Sequence, residues 1–169
     1  MESYIHPSIE KRWIGEKTGY GLFTTTPIKA GEIVMRDHGR VLSKAEYLQL
    51  PATCQEFPYQ IDSFSVLAPE DCGKVSDEWM VNHSCDPTVG YREPFTWVAI
   101  RDIPAGGEIT FDYGTAWTED MENYEMRCLC NAPNCRKKVT SKDWMLPELQ
   151  KRFSGFFTKA VQDKIRSQR

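Results

Sequence analysis

Short apolar stretches separated by glycine turns make up much of the first two thirds of the chain. Between residues 13 and 42 the strand-forming residues are interrupted by Gly15, Gly19, Gly21, Gly31 and Gly39. Residues 60–67 alternate apolar and polar side chains and predict a strand, and residues 96–100 and 109–113 predict two more. Because no long helix alternates with these strands, the pattern disfavours a doubly wound α/β fold and indicates a mainly β fold with short helices.

Two regions carry helical signals instead. Ser43 has the features of an N-cap, because Glu46 stands three residues later and completes a capping box, and Pro51 ends the short helix that follows. In the tail, apolar residues recur at mostly helical spacing between positions 149 and 165. Pro147 and Gly155 interrupt this tail, which predicts two short C-terminal helices.

The composition indicates one folded domain. The chain has 169 residues, of which 40% are hydrophobic and 27% are charged. No apolar run approaches the roughly 18 residues of a membrane span, and the chain begins with charges and a proline where a secretory signal is apolar. We therefore expect no membrane association and an intracellular location, in the cytoplasm or the nucleus, without secretion. A net charge of −3 offers no basic surface for phosphates, so direct nucleic-acid binding is not expected, and the oligomeric state does not follow from the sequence.

Three of the six cysteines form a tight C-x-C-x₄-C cluster, namely Cys128, Cys130 and Cys135. In a reducing compartment such a cluster indicates a metal site rather than disulfides, and a closed structural zinc site needs a fourth ligand. Cys85 is the best candidate because it lies in another conspicuous motif, whereas Cys54 and Cys72 stand alone and are interpreted as free thiols. Cys130 and Arg136 also match the C-x₅-R spacing of phosphate-binding cysteine enzymes, although the glycines of such a loop are missing.

Two further motifs each allow a structural and a chemical interpretation. Gly19-Tyr20-Gly21 is either a turn between strands or a place where the backbone approaches a ligand closely. The run Asn82-His83-Ser84-Cys85-Asp86 follows an apolar stretch and is either an Asx-type turn or a set of reactive side chains. One version of the second interpretation makes Cys85 a nucleophile with His83 as its base. Residues 108–114 alone indicate only a strand that ends in a tyrosine.

Taken together and in this order, the motifs resemble the SET-domain protein lysine methyltransferases. The resemblance runs through GYG at 19–21, VNHSCDPT at 81–88, EITFDYG at 108–114 and CLCNAPNC at 128–135. It implies small curled sheets, with the NHSC segment threaded beneath the loop around the FDY strand as a pseudoknot. It also implies three parts: a SET domain over 1–125 with a short insert at 43–77, a post-SET zinc-binding segment at 126–138, and a C-terminal helical extension at 139–169.

The resemblance implies methyl transfer from S-adenosylmethionine to a lysine of a protein substrate, such as a histone tail or another basic protein. Tyr113 would be the catalytic residue. The donor would be bound by Gly19, Tyr20, Gly21, Asn82 and His83, with Trp144 as an aromatic lid unless Trp144 is an ordinary core residue. One structural zinc ion would be held by Cys85, Cys128, Cys130 and Cys135. The alternative from a different functional class is a catalytically silent, SET-like, zinc-containing interaction module.

Two positions concern the substrate channel that the resemblance implies. Family members commonly carry a channel tyrosine in an EYxGE-like segment, and Asp37 stands at the place of that tyrosine here. Phe111 lies two residues before Tyr113, hence on the same face of the strand, where the resemblance assigns a residue that sets the volume around the lysine amine. We expect both Asp37 and Phe111 to line the channel. A phenylalanine there predicts di- or trimethylation, unless Phe111 is merely part of the core.

Overall fold

The computed structural model describes residues 3–92 and 95–168. The strands are β1 (Tyr4–Ile5), β2 (Ile9–Gly15), β3 (Gly19–Thr24), β4 (Ile33–Arg36), β5 (Arg40–Ser43), β6 (Tyr59–Gln60), β7 (Ser65–Ala68), β8 (Asn82–His83), β9 (Val89–Arg92), β10 (Thr96–Ala99), β11 (Glu108–Phe111), β12 (Glu125–Arg127) and β13 (Lys138–Thr140). The helices are α1 (Lys44–Tyr47), α2 (Ala52–Gln55), α3 (Pro147–Arg152) and α4 (Lys159–Ser167), with 3-10 turns at Asp77–Trp79, Tyr113–Thr115 and Asp143–Met145. The predicted mainly β architecture with short helices is confirmed.

The strands form small sheets. Two sheets have four strands, in the orders β1-β4-β10-β9 and β2-β3-β11-β8, while β5-β7-β6 and β12-β13 form smaller ones. The main core contains residues of both four-stranded sheets: Leu22 pairs with Ile109 across β3 and β11, and Met35 pairs with Trp97 across β4 and β10. All four side chains are buried. Removing such side chains from water contributes about 1.5–3 kcal/mol each, so this core fixes the strands that carry the site.

The segment that begins with β8 lies beside β11 in a parallel pairing. Asn82 is opposite Thr110 and His83 is opposite Phe111. Beyond the paired residues, the Ser84 N–H donates to the Phe111 carbonyl at 3.0 Å and the Thr88 N–H donates to the Thr110 carbonyl at 3.0 Å. A parallel pair joins two strands that are distant along the chain, and this pairing is the juxtaposition that the expected pseudoknot requires.

Local signals predicted several elements, but residues 60–67 are a correction. The Ser43–Glu46 capping box is present, and α1 begins directly after Ser43. The predicted single strand is instead a hairpin of β6 and β7, because the chain turns at Asp62, whose carboxylate accepts from the Phe64 N–H at 2.8 Å. Gln60 is buried there, and its amide oxygen accepts from the backbone and hydroxyl of Thr118 at 2.8 and 2.9 Å. This long-range pairing has no counterpart in the local alternation.

The other boundaries have clear causes. β11 ends at Phe111, two residues earlier than expected, because the Asp112 carboxylate accepts from the Gly114 N–H at 3.0 Å and starts a 3-10 turn at Tyr113. In the tail, Pro147 is the first residue of α3. Gly155 adopts a φ of +88°, a left-handed conformation that separates α3 from α4, as predicted.

Candidate active site

A cavity of about 750 Å³ brings together side chains from distant parts of the sequence. The predicted site residues on its wall are Tyr20, Asp37, Asn82, Phe111 and Tyr113. The remaining wall includes a group of aromatic side chains: Tyr47, Phe57, Tyr59, Trp79, Trp97, Trp117 and Tyr124. A large, mostly apolar cavity with a few convergent polar groups is the usual form of a ligand site.

Tyr113 is held by hydrogen bonds at both ends of the residue. Its hydroxyl donates to the Val81 carbonyl at 3.1 Å, and its backbone N–H donates to Nδ1 of His83 at 3.2 Å. Burial raises the pKa of Tyr113 to about 12, so the phenol keeps its proton at neutral pH. The group can therefore position a reactant through its oxygen but is not an available anionic base.

The GYG segment and Asn82 lie side by side. The Asn82 amide donates to the Tyr20 carbonyl at 3.0 Å and to the Glu108 carboxylate at 3.1 Å. A Cβ at Gly21 would lie 2.8 Å from Glu108 Oε1 and 3.0 Å from Asn82 Nδ2, so a larger residue would displace both. Gly19 adopts a φ of +75°. Each glycine therefore has a local structural reason, whereas the residue of this segment that lines the cavity is Tyr20.

Phe111 stands between the tyrosine and a buried carboxylate. Its ring centroid is 4.8 Å from that of Tyr113 and 4.5 Å from that of Trp97. The Trp97 indole N–H donates to Asp37 Oδ2 at 2.5 Å. Burial raises the pKa of Asp37 to about 7, although the hydrogen bond from Trp97 and the nearby Tyr59 hydroxyl oppose this rise. A continuous row of contacts thus runs along the wall from Tyr113 to Asp37.

The charged residues that line the cavity are all acidic: Asp37, Glu56, Glu78, Glu122 and Glu125. The described part of the wall contains no lysine, arginine or histidine. A concave surface with charges of one sign concentrates ions of the opposite sign. The cavity is therefore suited to a cation.

The cysteine cluster lies next to Tyr113, whose side chain packs against it. Cys128 Sγ is 3.8 Å from Cys85 Sγ and 3.5 Å from Cys135 Sγ, and the donor atoms of His83, Cys85, Cys128 and Cys130 lie within 4.8 Å of one another. Sulfurs around a tetrahedral zinc ion, at Zn–S distances of about 2.3 Å, are roughly 3.8 Å apart. The Cys85 N–H also donates to Cys130 Sγ at 3.4 Å; burial alone would raise the pKa of Cys130, but such bonds bring it down to about 7. The chemistry of the donor set fits zinc.

The position of His83 decides between it and the cysteines as metal ligands. Its Nδ1 accepts the Tyr113 N–H, and burial lowers its pKa, so the neutral ring must carry its proton on Nε2. Nε2 lies 3.4 Å from Cys85 Sγ, and a protonated nitrogen donates to a thiolate but cannot bind a metal. This arrangement favours four cysteines as ligands. It also shows that the His83 side chain, which was expected at the donor, points at the sulfurs.

The stretch of sequence that carries these site residues also matches a known protein family. The profile of the SET domain matches residues 19–114, which is more than half of the chain. The chain belongs to the SET-domain family. The match extends from the GYG segment through Asn82 and His83 to the residues around Tyr113, so the family resemblance stated from the motifs is confirmed.

Relatives of this SET domain are much longer proteins. This chain is 34% identical over 138 residues to the variant-silencing SET domain-containing protein of Plasmodium falciparum (isolate 3D7). The match covers 71% of this chain and 5% of that protein. The chain is 28% identical to the histone-lysine N-methyltransferase ash1 of Drosophila melanogaster and 31% identical to the H3 lysine-36 specific histone-lysine N-methyltransferase of Homo sapiens, each over 166 residues. These two matches cover 89% of this chain and 7% and 6% of the relatives. The chain therefore spans less than a tenth of each of these three relatives.

A solved structure supports the fold. The crystal structure of KRYPTONITE in complex with mCHG DNA and SAH aligns with a TM-score of 0.57 at 24% identity, over 73% of this chain and 27% of that one. The predicted SET fold of small curled sheets is thereby confirmed. Within the described residues, no helix combines the length and the hydropathy that crossing a membrane demands.

Trp144 does not form the aromatic lid over the donor that was one interpretation of this residue. Its side chain is fully buried in a cluster with Leu149, Phe153, Phe157 and Val161, and it does not line the cavity. Its indole N–H donates to Glu119 at 2.8 Å. The environment is that of an ordinary core residue, which was the alternative interpretation, because a buried ring under α3 and α4 has no face left for a ligand.

Arg136 is a structural residue that motif reasoning missed. It makes a bidentate ion pair with Asp112, at 2.6 and 2.7 Å, and a further hydrogen bond to Asp143 at 2.8 Å. Asp112 is almost fully buried. Since Arg136 is bound by carboxylates, the phosphate-binding interpretation of Cys130 and Arg136 loses its cation. Cys85, at 1% exposure, is likewise too buried to act as a nucleophile.

Trp97 and Tyr59 are the main cavity residues that sequence reasoning overlooked. Trp97 was interpreted only as part of a strand and Tyr59 was not singled out, yet both lie near Asp37. A tryptophan in a strand is normal core composition, so no local signal separated Trp97 from an ordinary packing residue. The buried Asp37, by contrast, was visible as a departure from the family pattern.

Proposed function

We propose that the chain is a protein lysine methyltransferase that transfers methyl groups from S-adenosylmethionine to a lysine side chain. The observation that carries this proposal is the composition of one cavity wall. Tyr113, Asn82 and Tyr20 of the GYG segment meet there with an acidic, aromatic surface that suits a cationic side chain. The names of the relatives as histone-lysine N-methyltransferases support the same activity.

The reaction needs alignment more than it needs acid or base groups. S-adenosylmethionine supplies an electrophilic methyl group on a sulfonium. The neutral lysine nitrogen attacks the methyl carbon, the carbon–sulfur bond breaks, and the sulfur keeps the electron pair. Tyr113 stays protonated, donates to the Val81 carbonyl and presents its oxygen to the reacting groups. Holding two reactants in a near-attack geometry contributes several kcal/mol.

The donor would be bound at the wall where Tyr20 and Asn82 line the cavity, with Gly19 and Gly21 directly beside Tyr20 in the chain. The fit rests on Tyr20, which is 48% exposed, and on Gly21, which leaves room for the Asn82 and Glu108 side chains that pack against it. The role of His83 is revised to that of a positioning residue. It accepts from the Tyr113 N–H and contacts the Cys85 sulfur, so it links the tyrosine to the metal cluster.

Zinc would be held by Cys85, Cys128, Cys130 and Cys135 and would be structural. The four residues come from the segment after β8 and from the chain between β12 and β13. A zinc ion there ties these segments together next to Tyr113, which the isolated segments could not achieve by hydrophobic burial alone. No step of the methyl transfer involves it.

The substrate is proposed as a protein that presents a lysine, with histone H3 as the first candidate because relatives carry H3 in their names. An H3 substrate places the activity inside the cell, where chromatin is. The acidic cavity agrees with a basic peptide. DNA is named in the structural relative's title, but the net charge of −3 gives no reason to propose direct DNA binding here.

The test is a methylation assay with a matched pair of variants. Purified chain, S-adenosylmethionine and histone H3 peptides covering the lysine-4 and lysine-36 regions are incubated, and products are read by mass spectrometry. Tyr113→Phe is expected to lower turnover by about 100-fold or more, since a positioned hydroxyl at the reaction centre is lost. Tyr124→Phe is the control, because it removes a buried hydroxyl on the same cavity that has no hydrogen-bond partner among the described residues.

Donor binding separates the two functional classes. Calorimetry should detect S-adenosylmethionine binding to wild type and to Tyr113→Phe alike, because the proposed donor wall excludes Tyr113. A chain that binds no donor and methylates neither peptide nor core histones would instead be the silent interaction module. Near-normal turnover of Tyr113→Phe would refute the assigned role of the tyrosine alone.

A further inference from the structure

Asp37 is a buried carboxylate that the fold leaves half satisfied. Its side chain is 4% exposed, Oδ2 accepts the Trp97 indole N–H, and Oδ1 has no hydrogen-bond partner among the described residues. Buried carboxylates normally have partners for both oxygens, because an unpaired one loses its hydration without compensation. Oδ1 therefore has an unused capacity to accept, and Asp37 lies on the cavity wall.

The protein provides no cation for this carboxylate. None of the ion pairs among the described residues includes Asp37, and the charged groups on the cavity wall are acidic. The charge of Glu78 raises the pKa of Asp37 further. A buried negative charge with only like charges around it is unfavourable for the empty protein, which points to a positive ligand.

Aromatic faces surround the same place. The ring centroid of Tyr59 is 5.9 Å from that of Trp79 and 5.9 Å from that of Trp97. Its hydroxyl is buried and has no hydrogen-bond partner among the described residues. The Tyr59 hydroxyl lies close enough to lower the pKa of Asp37. Aromatic faces attract ammonium and methylammonium groups through their quadrupoles, so the walls and the carboxylate favour the same kind of ligand.

We propose that Asp37 is a specificity-determining residue that makes this end of the channel a binding site for alkylammonium cations, that is, for the target lysine and its methylated forms. The identification of the cation as a lysine rests on the proposed function, whereas the preference of the site for alkylammonium cations does not. The carboxylate Oδ1 meets the positive charge, and Tyr59, Trp79 and Trp97 form the apolar walls. The site then holds the lysine as a cation between methyl transfers, and before each attack the ammonium releases its proton to solvent water, which gives the nitrogen its lone pair.

The test uses small probes that require neither S-adenosylmethionine nor turnover. n-Butylammonium represents the end of a lysine side chain, and n-butanol is its neutral counterpart of similar size. Binding to the full chain is followed near pH 8 through the indole N–H NMR signal of Trp97, because this N–H donates a hydrogen bond to Asp37. The signal is assigned by its loss in Trp97→Phe. The variants are Asp37→Asn, which keeps the volume, and Glu16→Gln, which removes one exposed carboxylate that does not line the cavity.

Wild type and Glu16→Gln should bind the cation about tenfold or more tightly than the alcohol, and Asp37→Asn should bind both about equally, since charge-assisted hydrogen bonds differ from neutral ones by about this factor. In the peptide methylation assay, the Asp37→Asn substitution should raise the KM for the peptide more than it lowers kcat. Equal binding of the two probes by wild type, or an unchanged preference in Asp37→Asn, would overturn the proposal. Absence of methylation together with intact cation preference would refute only the proposed function.

Discussion

Replacing Asp37 by asparagine is expected to stabilise the folded protein at neutral and alkaline pH. Asparagine keeps the size of the side chain and an oxygen for the Trp97 indole, but it cannot ionise. The prediction concerns the free energy of unfolding, so it is independent of any activity. It follows from the burial of Asp37, which is 4% exposed.

The size of the effect follows from the pKa. Burial raises the pKa of Asp37 from the ordinary 3.8 to about 7; the hydrogen bond from Trp97 and the nearby Tyr59 hydroxyl oppose this rise, and the charge of Glu78 adds to it. Between these two pKa values the folded protein keeps a proton that the unfolded chain releases, so stability falls as the pH rises. At about 1.4 kcal/mol per pH unit, the wild type loses about 4 kcal/mol by the time the pH exceeds 7. Asparagine carries no such loss.

The assay is urea unfolding of wild type, Asp37→Asn and Glu16→Gln at several pH values between about 5 and about 8. The stability of Asp37→Asn relative to wild type should increase by about 3 kcal/mol over this range. Other titrating groups, including the zinc ligands, occur in both proteins and cancel in the difference. Glu16→Gln should show a flat difference. A flat difference for Asp37→Asn as well would refute the reasoning, because it would mean that the buried carboxylate has an ordinary pKa.

The same measurement bears on binding. A cation beside Asp37 would favour its ionised form and recover part of the lost free energy. Lysine peptides should therefore bind more tightly above pH 7 than below it, whereas a peptide with norleucine in place of lysine should show no such slope. This trade of stability for recognition is a known property of functional sites.

Two predictions concern other parts of the site. A metal assay should find one zinc per chain, and Cys128→Ser should lose the zinc and reduce the protection of the segment after residue 126 against amide hydrogen exchange. The control Cys72→Ser should keep both the metal and the protection. A metal-free wild type with full activity would contradict the zinc site. Phe111→Tyr should shift the products of a saturated reaction from di- or trimethyl-lysine toward monomethyl-lysine, because a hydroxyl would enter the space between Trp97 and Tyr113; mass spectrometry reads this directly, with the exposed Phe64→Tyr as control, and a wild type that stops at one methyl group would show that another residue sets the limit.

Local chemistry explains what was predictable from the sequence. The three cysteines of the cluster are close along the chain, and the need for a fourth sulfur pointed to Cys85. The capping box at Ser43 and the break at Gly155 each rest on interactions within a few residues. Such features survive in any fold that contains the segment, so a single sequence is enough to find them.

Long-range contacts explain what was not predictable. The turn at Asp62 interrupts an alternation that otherwise resembles one strand. The buried Gln60 side-chain oxygen accepts hydrogen bonds from Thr118, which lies 58 positions away along the chain. The opposite error occurred at Trp144, where a resemblance suggested a ligand contact and the tail helices supplied a core. Arg136 was assigned no structural role, since its two carboxylate partners lie seven and 24 positions away.

These long-range contacts converge on Tyr113 from both sides. Its backbone N–H is bonded to His83, whose other nitrogen contacts the Cys85 sulfur, and the preceding Asp112 is fixed by Arg136, which directly follows Cys135. The tyrosine is therefore positioned by the cysteine cluster through two independent connections, one from β8 and one from the segment after β12. Positioning groups must be held to within about 0.5 Å to act on a reaction. A zinc ion in the cluster would thus support catalysis through the rigidity of Tyr113, although it takes no part in the chemistry.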